Sequence, residues 1–386
     1  MKFFHLSDLH IGKQLHFYSL RDEQEFMLRQ VIGLAREHRP KVIVIAGDIY
    51  DKAVPSAEAV ALFDWFLTEL QEIRPAIPLL LIAGNHDSPR RLDFASRILQ
   101  KEGIHIQGMP PAGPEEFLRK VEFTDEWGKV RFYLLPFVKP GYVAGVFPGE
   151  GPGSYEEAVE KILEREEIDR GIRNVLVTHQ FYTASGKSPE KSDSEAIHVG
   201  GLDNVDVRVL EPFVYVAMGH MHRPQSMGKP WYRYCGTLYP YSVSEAEDQK
   251  TLTMVTLGAP GIEPEISLLP LKPLRKVRTL RGTLEELLEQ VPQGTCGDYV
   301  SLTLTDEIMP YQPREQLEKR YERILELRVE NTRTRQQARD LQEGNALTDP
   351  MELFGNFYRE IQGQDLTGEQ QKLLEELLEQ AEEERS

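Results

Sequence analysis

The sequence predicts an α/β fold, followed by a smaller α+β module and a helical tail. Three observations carry this. Short β-rich apolar runs alternate with helical patterns over roughly the first 260 residues, the texture changes across a stretch with four prolines between Pro260 and Pro273, and the chain ends in two amphipathic helical patterns. The runs read as strands are 2–6, 41–46, 78–83, 130–135, 174–177 and 213–217, with helices near 20–38, 56–74, 91–102 and 155–169. Beyond Pro273 the order reads strand 274–280, helix 283–291, strand 299–305, helix 313–325 and a final strand. This divides the chain into a domain 1–262, a capping domain 263–330, a polar linker 331–348 and a tail 349–386.

Composition narrows the class. With 386 residues, 40% apolar and 28% charged, the chain is long enough for two or three domains and reads as an ordinary globular protein. Cys235 and Cys296 lie 61 residues apart with no C-x-x-C neighbourhood, so a reduced, intracellular protein is expected. The N-terminal apolar stretch is broken by His5 and Asp8 too early for a signal peptide, and no apolar run reaches the roughly 18 residues of a membrane span. A cytoplasmic location is expected.

Net charge is −17, which at first sight argues against a nucleic-acid partner. The charge is uneven: residues 341–386 carry 12 acidic and 3 basic side chains, and residues 270–340 carry 12 and 13. Over half of the deficit sits in the tail, so the global value says little about what the rest binds.

Five of the strands end directly in metal-ligand side chains: Ser7-Asp8-Leu9-His10, Gly47-Asp48-Ile49-Tyr50-Asp51, Gly84-Asn85-His86-Asp87, Thr178-His179-Gln180 and Gly219-His220-Met221-His222. Ligands of open α/β sheets gather at the carboxyl ends of strands, so the five can converge. A two-metal hydrolase needs a bridging carboxylate, further nitrogen and oxygen ligands and open positions for water and phosphate. Asp8, His10, Asp48, Asn85, His179, His220 and His222 supply that mixture. Without thiolates, they suit Mn²⁺, Fe²⁺ or Zn²⁺ better than Ca²⁺. Arg90, Arg91, Arg223 and Arg233 follow motif segments and are candidates for phosphate contacts. The segment 185–203, with Lys187 and Lys191 among acids, is a long loop near a ligand strand.

The order D-x-H, G-D-x-x-D, G-N-H-D, an isolated His and G-H-x-H resembles the calcineurin-like metallophosphoesterases, which implies a two-sheet sandwich flanked by helices. The wider wording, Phe4 to Lys13, Ala46 to Asp51, Ala83 to Pro89 and Met218 to Gln225, is similar to the bacterial SbcD family of DNA nuclease subunits, over essentially the whole length. By matched position the resemblance implies one metal on Asp8, His10, Asp48 and His222 and another on Asp48, Asn85, His179 and His220, with Asp48 as the bridge. It further implies His86 as the catalytic histidine, Asp51 as its pairing partner and His16 as a DNA-positioning residue. Two divalent ions, Mn²⁺ first, would serve exonuclease and endonuclease action on double-strand ends and hairpins in DNA repair and recombination. ATP would enter only through an SbcC-type SMC-like ATPase, with the nuclease a homodimer inside a heterotetramer and associated with the nucleoid.

Two patterns bear on assembly. Ala59, Val60, Leu62, Phe63, Trp65, Phe66, Leu67, Leu70 and Ile73 cover roughly 200° of the helix 56–74, about twice what one buried face needs. A second burying surface, with the helix 91–102 as companion, is expected to make the dimer. In the tail, Leu353, Phe354, Phe357, Tyr358 and Ile361, then Leu373, Leu374, Leu377, Leu378 and Ala381, form two apolar stripes, with Thr367 and Gln370 fitting a capping box. Two such short helices are expected to dock on the ATPase coiled coil. The alternatives are a phosphomonoesterase, a cyclic-nucleotide phosphodiesterase or a stand-alone exonuclease on the same site, and a non-enzymatic scaffold. The capping module and tail speak against the first group, and the completely filled ligand set against the second.

Overall fold

The computed structural model describes residues 1–149, 151–195, 203–289, 295–332 and 334, and in the tail 351, 354–355, 358–359, 366–368, 370–371 and 373–374. Two six-stranded sheets are built by the first unit. One runs in the order Glu265–Pro270, Thr251–Thr256, Lys2–Leu6, Val42–Ala46, Leu79–Ile82 and Ile104–Gln107. The last four are parallel, and Thr251–Thr256 pairs antiparallel with Lys2–Leu6. The other runs Gln225–Ser226, Tyr232–Tyr234, Tyr215–Gly219, Arg173–His179, Gly128–Leu135 and Arg119–Asp125.

Side-chain alternation decides what each face meets. Phe3, Val42, Val44, Leu80 and Ile82 from the first sheet share one buried cluster with Val130, Phe132, Leu134, Val175, Val177 and Tyr215 from the second. The intervening positions Phe4, Leu6, Ile43, Ile45, Leu79 and Leu81 instead join Met27, Val31, Leu62 and Phe66 of the helices Arg21–His38 and Ala57–Gln71. On the far side Tyr133, Leu135, Leu176 and Val216 pack with Ala158, Val159 and Ile162 of the helix Tyr155–Arg165. Helix, sheet, sheet and helix layers result, which is the expected two-sheet sandwich.

Several expectations differ in detail. The helix 91–102 is broken into Pro89–Leu92, Ser96–Leu99 and a 3₁₀ turn Gln100–Glu102, because Ala95 takes φ 58° and the Asp93 carboxylate accepts from the amides of Gly108 and Met109 at 2.8 and 3.2 Å. Residues 265–270, expected in the capping domain, form an edge strand of the first sheet paired antiparallel with Thr251–Thr256. The edge tolerates Pro264 just before the strand and Pro270 as its last residue, so a boundary at 262/263 falls between two strands paired with each other.

By contact density the chain divides into Met1–Thr279 with Pro292–Ser301 and Glu318–Glu326, and Leu280–Val291 with Leu302–Leu317 and Leu327–Ser386. The strands Val277–Gly282, Tyr299–Leu304 and Arg323–Val329 form a three-stranded sheet in that order. The helix expected over 313–325 stops at Glu318, since Ile324 and Leu325 suit strand and helix alike and the strand Arg323–Val329 takes them. Most of the linker 331–348 and of the tail lies outside the described residues. Within the tail, Thr367 and Gln370 do form the capping box, Thr367 N–H donating to Gln370 Oε1 at 2.9 Å.

Candidate metal centre

The loops leaving the strands Lys2–Leu6 and Val42–Ala46 run on side by side. Asp8 N–H donates to Gly47 O at 3.0 Å, His10 N–H to Asp48 O at 3.0 Å and Ile11 N–H to Ile49 O at 2.8 Å. Asp8, His10 and Asp48 take φ of 51°, 42° and 49°, and His220 takes 99°. Non-glycine residues seldom adopt positive φ, and such strain gathers at functional sites.

Two side chains outside the predicted ligand set hold these loops. Gln24, on the helix Arg21–His38, donates to Leu9 O and His10 O at 3.2 and 2.7 Å and accepts from Gly12 N–H at 3.0 Å. Asp87 accepts from Ile49 N–H (3.1 Å) and Gly84 N–H (2.9 Å) on Oδ2 and from Tyr50 N–H (3.0 Å) on Oδ1, tying the G-N-H-D turn to the G-D-x-x-D loop. Asp87 had a signal in the sequence, as the last letter of its motif. Gln24 had none.

All seven predicted ligand side chains come together. Asp48 Oδ2 lies 3.6 Å from His10 Nε2 and 3.4 Å from His179 Nε2, so its carboxylate stands between two groups of donors. On one side, Asp8, His10 and His222 bring ligand atoms within 4.8 Å of one another, with His10 Nε2 and His222 Nε2 3.1 Å apart. On the other, Asn85 Oδ1 is 3.0 Å from His179 Nε2 and 2.9 Å from His220 Nδ1. The His179 ring is oriented by Ala46 O, 2.8 Å from Nδ1. A carbonyl only accepts, so Nδ1 carries a proton and Nε2 is the atom turned toward Asp48. Asp8, His10, Asp48, His179, His220 and His222 are buried, while Asn85 and His86 are half-buried.

Charge accounts for how the cluster behaves without a cation. Burial pushes the Asp8 carboxyl up to about 6 despite the neighbouring imidazoles of His179 and His222. Burial acts the same way on Asp48, but His179, His10 and His86 together hold its carboxyl below the ordinary range. Burial lowers His10 well below its usual value and His220 to about 3. At His179 burial is outweighed by Asp48, and the imidazole stands at about 9. The anionic pocket thus recruits a proton onto His179. Converging imidazole nitrogens, carboxylates and an amide oxygen fit divalent cations of the Mn²⁺, Fe²⁺ or Zn²⁺ type.

The other predicted residues fall differently. His86 adjoins the cluster, its N–H donating to Asp48 Oδ1 at 2.8 Å. Its Nδ1 meets the backbone carbonyl of Asp51 at 3.1 Å rather than the carboxylate expected to pair with it. The Asp51 carboxylate takes Lys13 Nζ at 2.8 Å instead, because Asp51 N–H is pinned to Ile11 O and fixes which way the residue faces. His16 sits at the exposed tip of the small hairpin Gln14–Leu15 and Tyr18–Ser19, with φ 54°, and Arg90 is exposed in the turn Pro89–Leu92. Arg223 is tied to Asp248 at 3.3 Å and to Ser244 O at 2.9 Å. The loop 185–195 bears on the site through Ser194 and Glu195, which reach His222 and had no metal-ligand signal in the sequence.

The family model of calcineurin-like phosphoesterases matches residues 1–224, and the chain belongs to that family, a class of hydrolases. Residues 272–362 match a second model, described as the Type 5 capsule protein repressor C-terminal domain. The relatives are more particular. A protein of Staphylococcus epidermidis, named as the SbcD component of the nuclease SbcCD, is 30% identical over 331 residues, 85% of each chain. Its namesake in Staphylococcus saprophyticus subsp. saprophyticus is 28% identical over 385 residues, 98% of each. These relatives place the chain in the SbcD nuclease branch of the family. Among solved structures, a dimetal phosphatase from Danio rerio aligns over 69% of this chain and 98% of its own at 14% identity and a TM-score of 0.38, a likeness too distant to add to the assignment.

Asp87→Asn tests the brace between the two loops. An amide keeps one acceptor oxygen but turns an N–H₂ group onto a buried backbone donor, at a cost of about 1–3 kcal/mol. Urea denaturation is expected to show that loss and calorimetric titration a weakened Mn²⁺ affinity; wild-type values in both would remove Asp87 from the architecture of the site.

Proposed function

We propose that the chain is the nuclease subunit of a DNA-processing complex, hydrolysing phosphodiester bonds with two divalent ions, manganese first among them. The observation that carries this reading is Asp48 Oδ2 standing between His10 on one side and His179 on the other. Ions held there would neutralise phosphate oxygens and acidify a water. Asp8, His10 and His222 complete one set of donors with Asp48; Asn85, His179 and His220 complete the other. His86 is the partly exposed group beside them. With Nδ1–H anchored on Asp51 O, its Nε2 is the ring atom left to serve the departing 3′ oxygen. Asp51 acts in this reading through its main chain and keeps Lys13 beside His10.

Nuclease action as one subunit of a complex is the reading that the relatives' name supports; exonuclease and endonuclease action on double-strand ends and hairpins, in DNA repair and recombination, with an SbcC-type SMC-like ATPase that supplies ATP, extends that proposal. Of the DNA-contact candidates, His16 and Arg90 are exposed, whereas Arg223 would have to leave Asp248 to reach a phosphate. A homodimer within a heterotetramer is supported by the exposed apolar side chains Val60, Phe94 and Ile98, at 45%, 82% and 69%. The tail 349–386 is assigned to the ATPase coiled coil. A cytoplasmic, nucleoid-associated protein belongs to the same reading; among the described residues no helix is long and apolar enough to cross a membrane.

Asp48→Asn is expected to abolish Mn²⁺-dependent cleavage of plasmid DNA with an unchanged circular dichroism spectrum, and cleavage at the wild-type rate would overturn the reading. His86→Ala should differ in kind, retaining both Mn²⁺ ions by elemental analysis while losing roughly 10²-fold or more in rate. Full activity in that variant would exclude His86 from the chemistry. Deleting residues 345–386 should abolish co-purification with the ATPase and leave cleavage of single-stranded DNA intact; retained wild-type affinity would refute the role of the tail.

A further inference from the structure

The ring of His222 is oriented by residues that belong to no metal-ligand motif. His222 Nδ1 lies 2.6 Å from Ser194 Oγ, and Ser194 Oγ lies 2.6 Å from Glu245 Oε1. Glu245 is fully buried and paired with Lys250, whose Nζ is 2.6 Å from Oε2. Lys250, also buried, donates in addition to Thr237 Oγ1 at 2.8 Å and to the His222 carbonyl at 3.2 Å. Ser242 Oγ reaches Glu245 Oε1 at 2.9 Å.

A carboxylate facing an ammonium only accepts, so the single hydroxyl proton of Ser194 goes to Glu245. The Ser194 oxygen is then an acceptor toward His222, and Nδ1 carries the imidazole proton. Nε2, 3.1 Å from His10 Nε2, is left with its lone pair turned into the cluster. Glu245 cannot do this directly, because its Oε1 is 3.8 Å from His222 Nδ1, beyond hydrogen-bond range. The same loop grips the backbone: Glu195 Oε1 accepts from His222 N–H at 2.6 Å, and its Oε2 accepts from Ser192 N–H at 3.1 Å.

From this geometry we infer that Ser194 is a positioning residue of the metal centre, passing the Nδ1 proton of His222 onto the buried Glu245–Lys250 pair and so fixing the tautomer and ring angle in which Nε2 faces a cation. The inference rests on the two-metal reading. Loss of such an outer partner weakens metal binding by about 10–100-fold. Threonine keeps a hydroxyl at this position and alanine does not.

Mn²⁺ binding to the full chain, by equilibrium dialysis with elemental analysis and by EPR titration, tests the inference without any reference to cleavage. Wild type is expected to bind two ions and His222→Ala one. Ser194→Ala should weaken one of the two sites by about 10–100-fold, with the melting temperature of the metal-free chain unchanged, and Ser194→Thr should restore it. Two sites of wild-type affinity in Ser194→Ala, beside a lost site in His222→Ala, would overturn the inference and leave the two-metal reading standing. Equal weakening by threonine and alanine would overturn it as well. A wild-type chain that binds fewer than two ions would overturn both.

Discussion

The carbonyl of Ala46 is the point on which the site turns. It ends the strand Val42–Ala46 in one sheet and accepts from His179 Nδ1 at the end of a strand in the other. A β-carbon added at Gly219 would lie 1.9 Å from the same oxygen, and one added at Gly84 would lie 2.1 Å from Asp48 Oδ1. Opposite the Ala46 carbonyl the second sheet comes so near that no β-carbon fits at Gly219. Glycine is required there for room, and the imidazole of His179 is left with one orientation, Nε2 toward Asp48. That Asp48 stands between His10 and His179 is therefore a consequence of how the sheets meet, and a donor cluster of this density follows from it.

That closeness has a conformational cost. Four ligand residues hold positive φ, each worth of order 1–3 kcal/mol of strain when the residue is not glycine. Such conformations persist only where the surroundings over-determine them, and here they do. Asp8 and His10 are hydrogen-bonded to the neighbouring loop, Gln24 pins the carbonyls of Leu9 and His10, and Asp87 gathers three amides from two loops. The electrostatic tension is separate. Buried carboxylates and imidazoles without a cation place a proton on His179, so the charge that organises the pocket is positive whether a proton or a metal supplies it.

The site was legible in the sequence because each ligand directly follows an apolar run, and a parallel sheet brings the carboxyl ends of its strands to one edge. What was not legible depends on contacts between segments remote in sequence. Ser194 and Glu245 reach His222 from 28 residues before it and 23 after, and neither sits in a pattern that spacing reveals. Asp51 kept its place beside His86, but which of its oxygens faces the ring depends on a backbone hydrogen bond to Ile11. The helix expected over 91–102 has the periodicity of a helix and is interrupted because Asp93 binds amides at 108 and 109. The strand at 265–270 was hidden by its prolines, which an edge position allows.

Net charge of −17 is a poor match for the polyanionic substrate that the nuclease reading requires, and the cluster itself accounts for how the two are compatible. Three basic side chains close to the ligands are engaged: Lys13 with Asp51, Lys250 with Glu245 and Arg223 with Asp248. Their charge is spent on holding the architecture rather than presented to a phosphate. On the nuclease reading, phosphate attraction at the scissile bond then falls to the bound cations and to the half-buried His86, the groups that also carry the chemistry. On the same reading, a site organised in this way would discriminate little by sequence and much by whether a phosphodiester can be brought into a recess formed by strand ends.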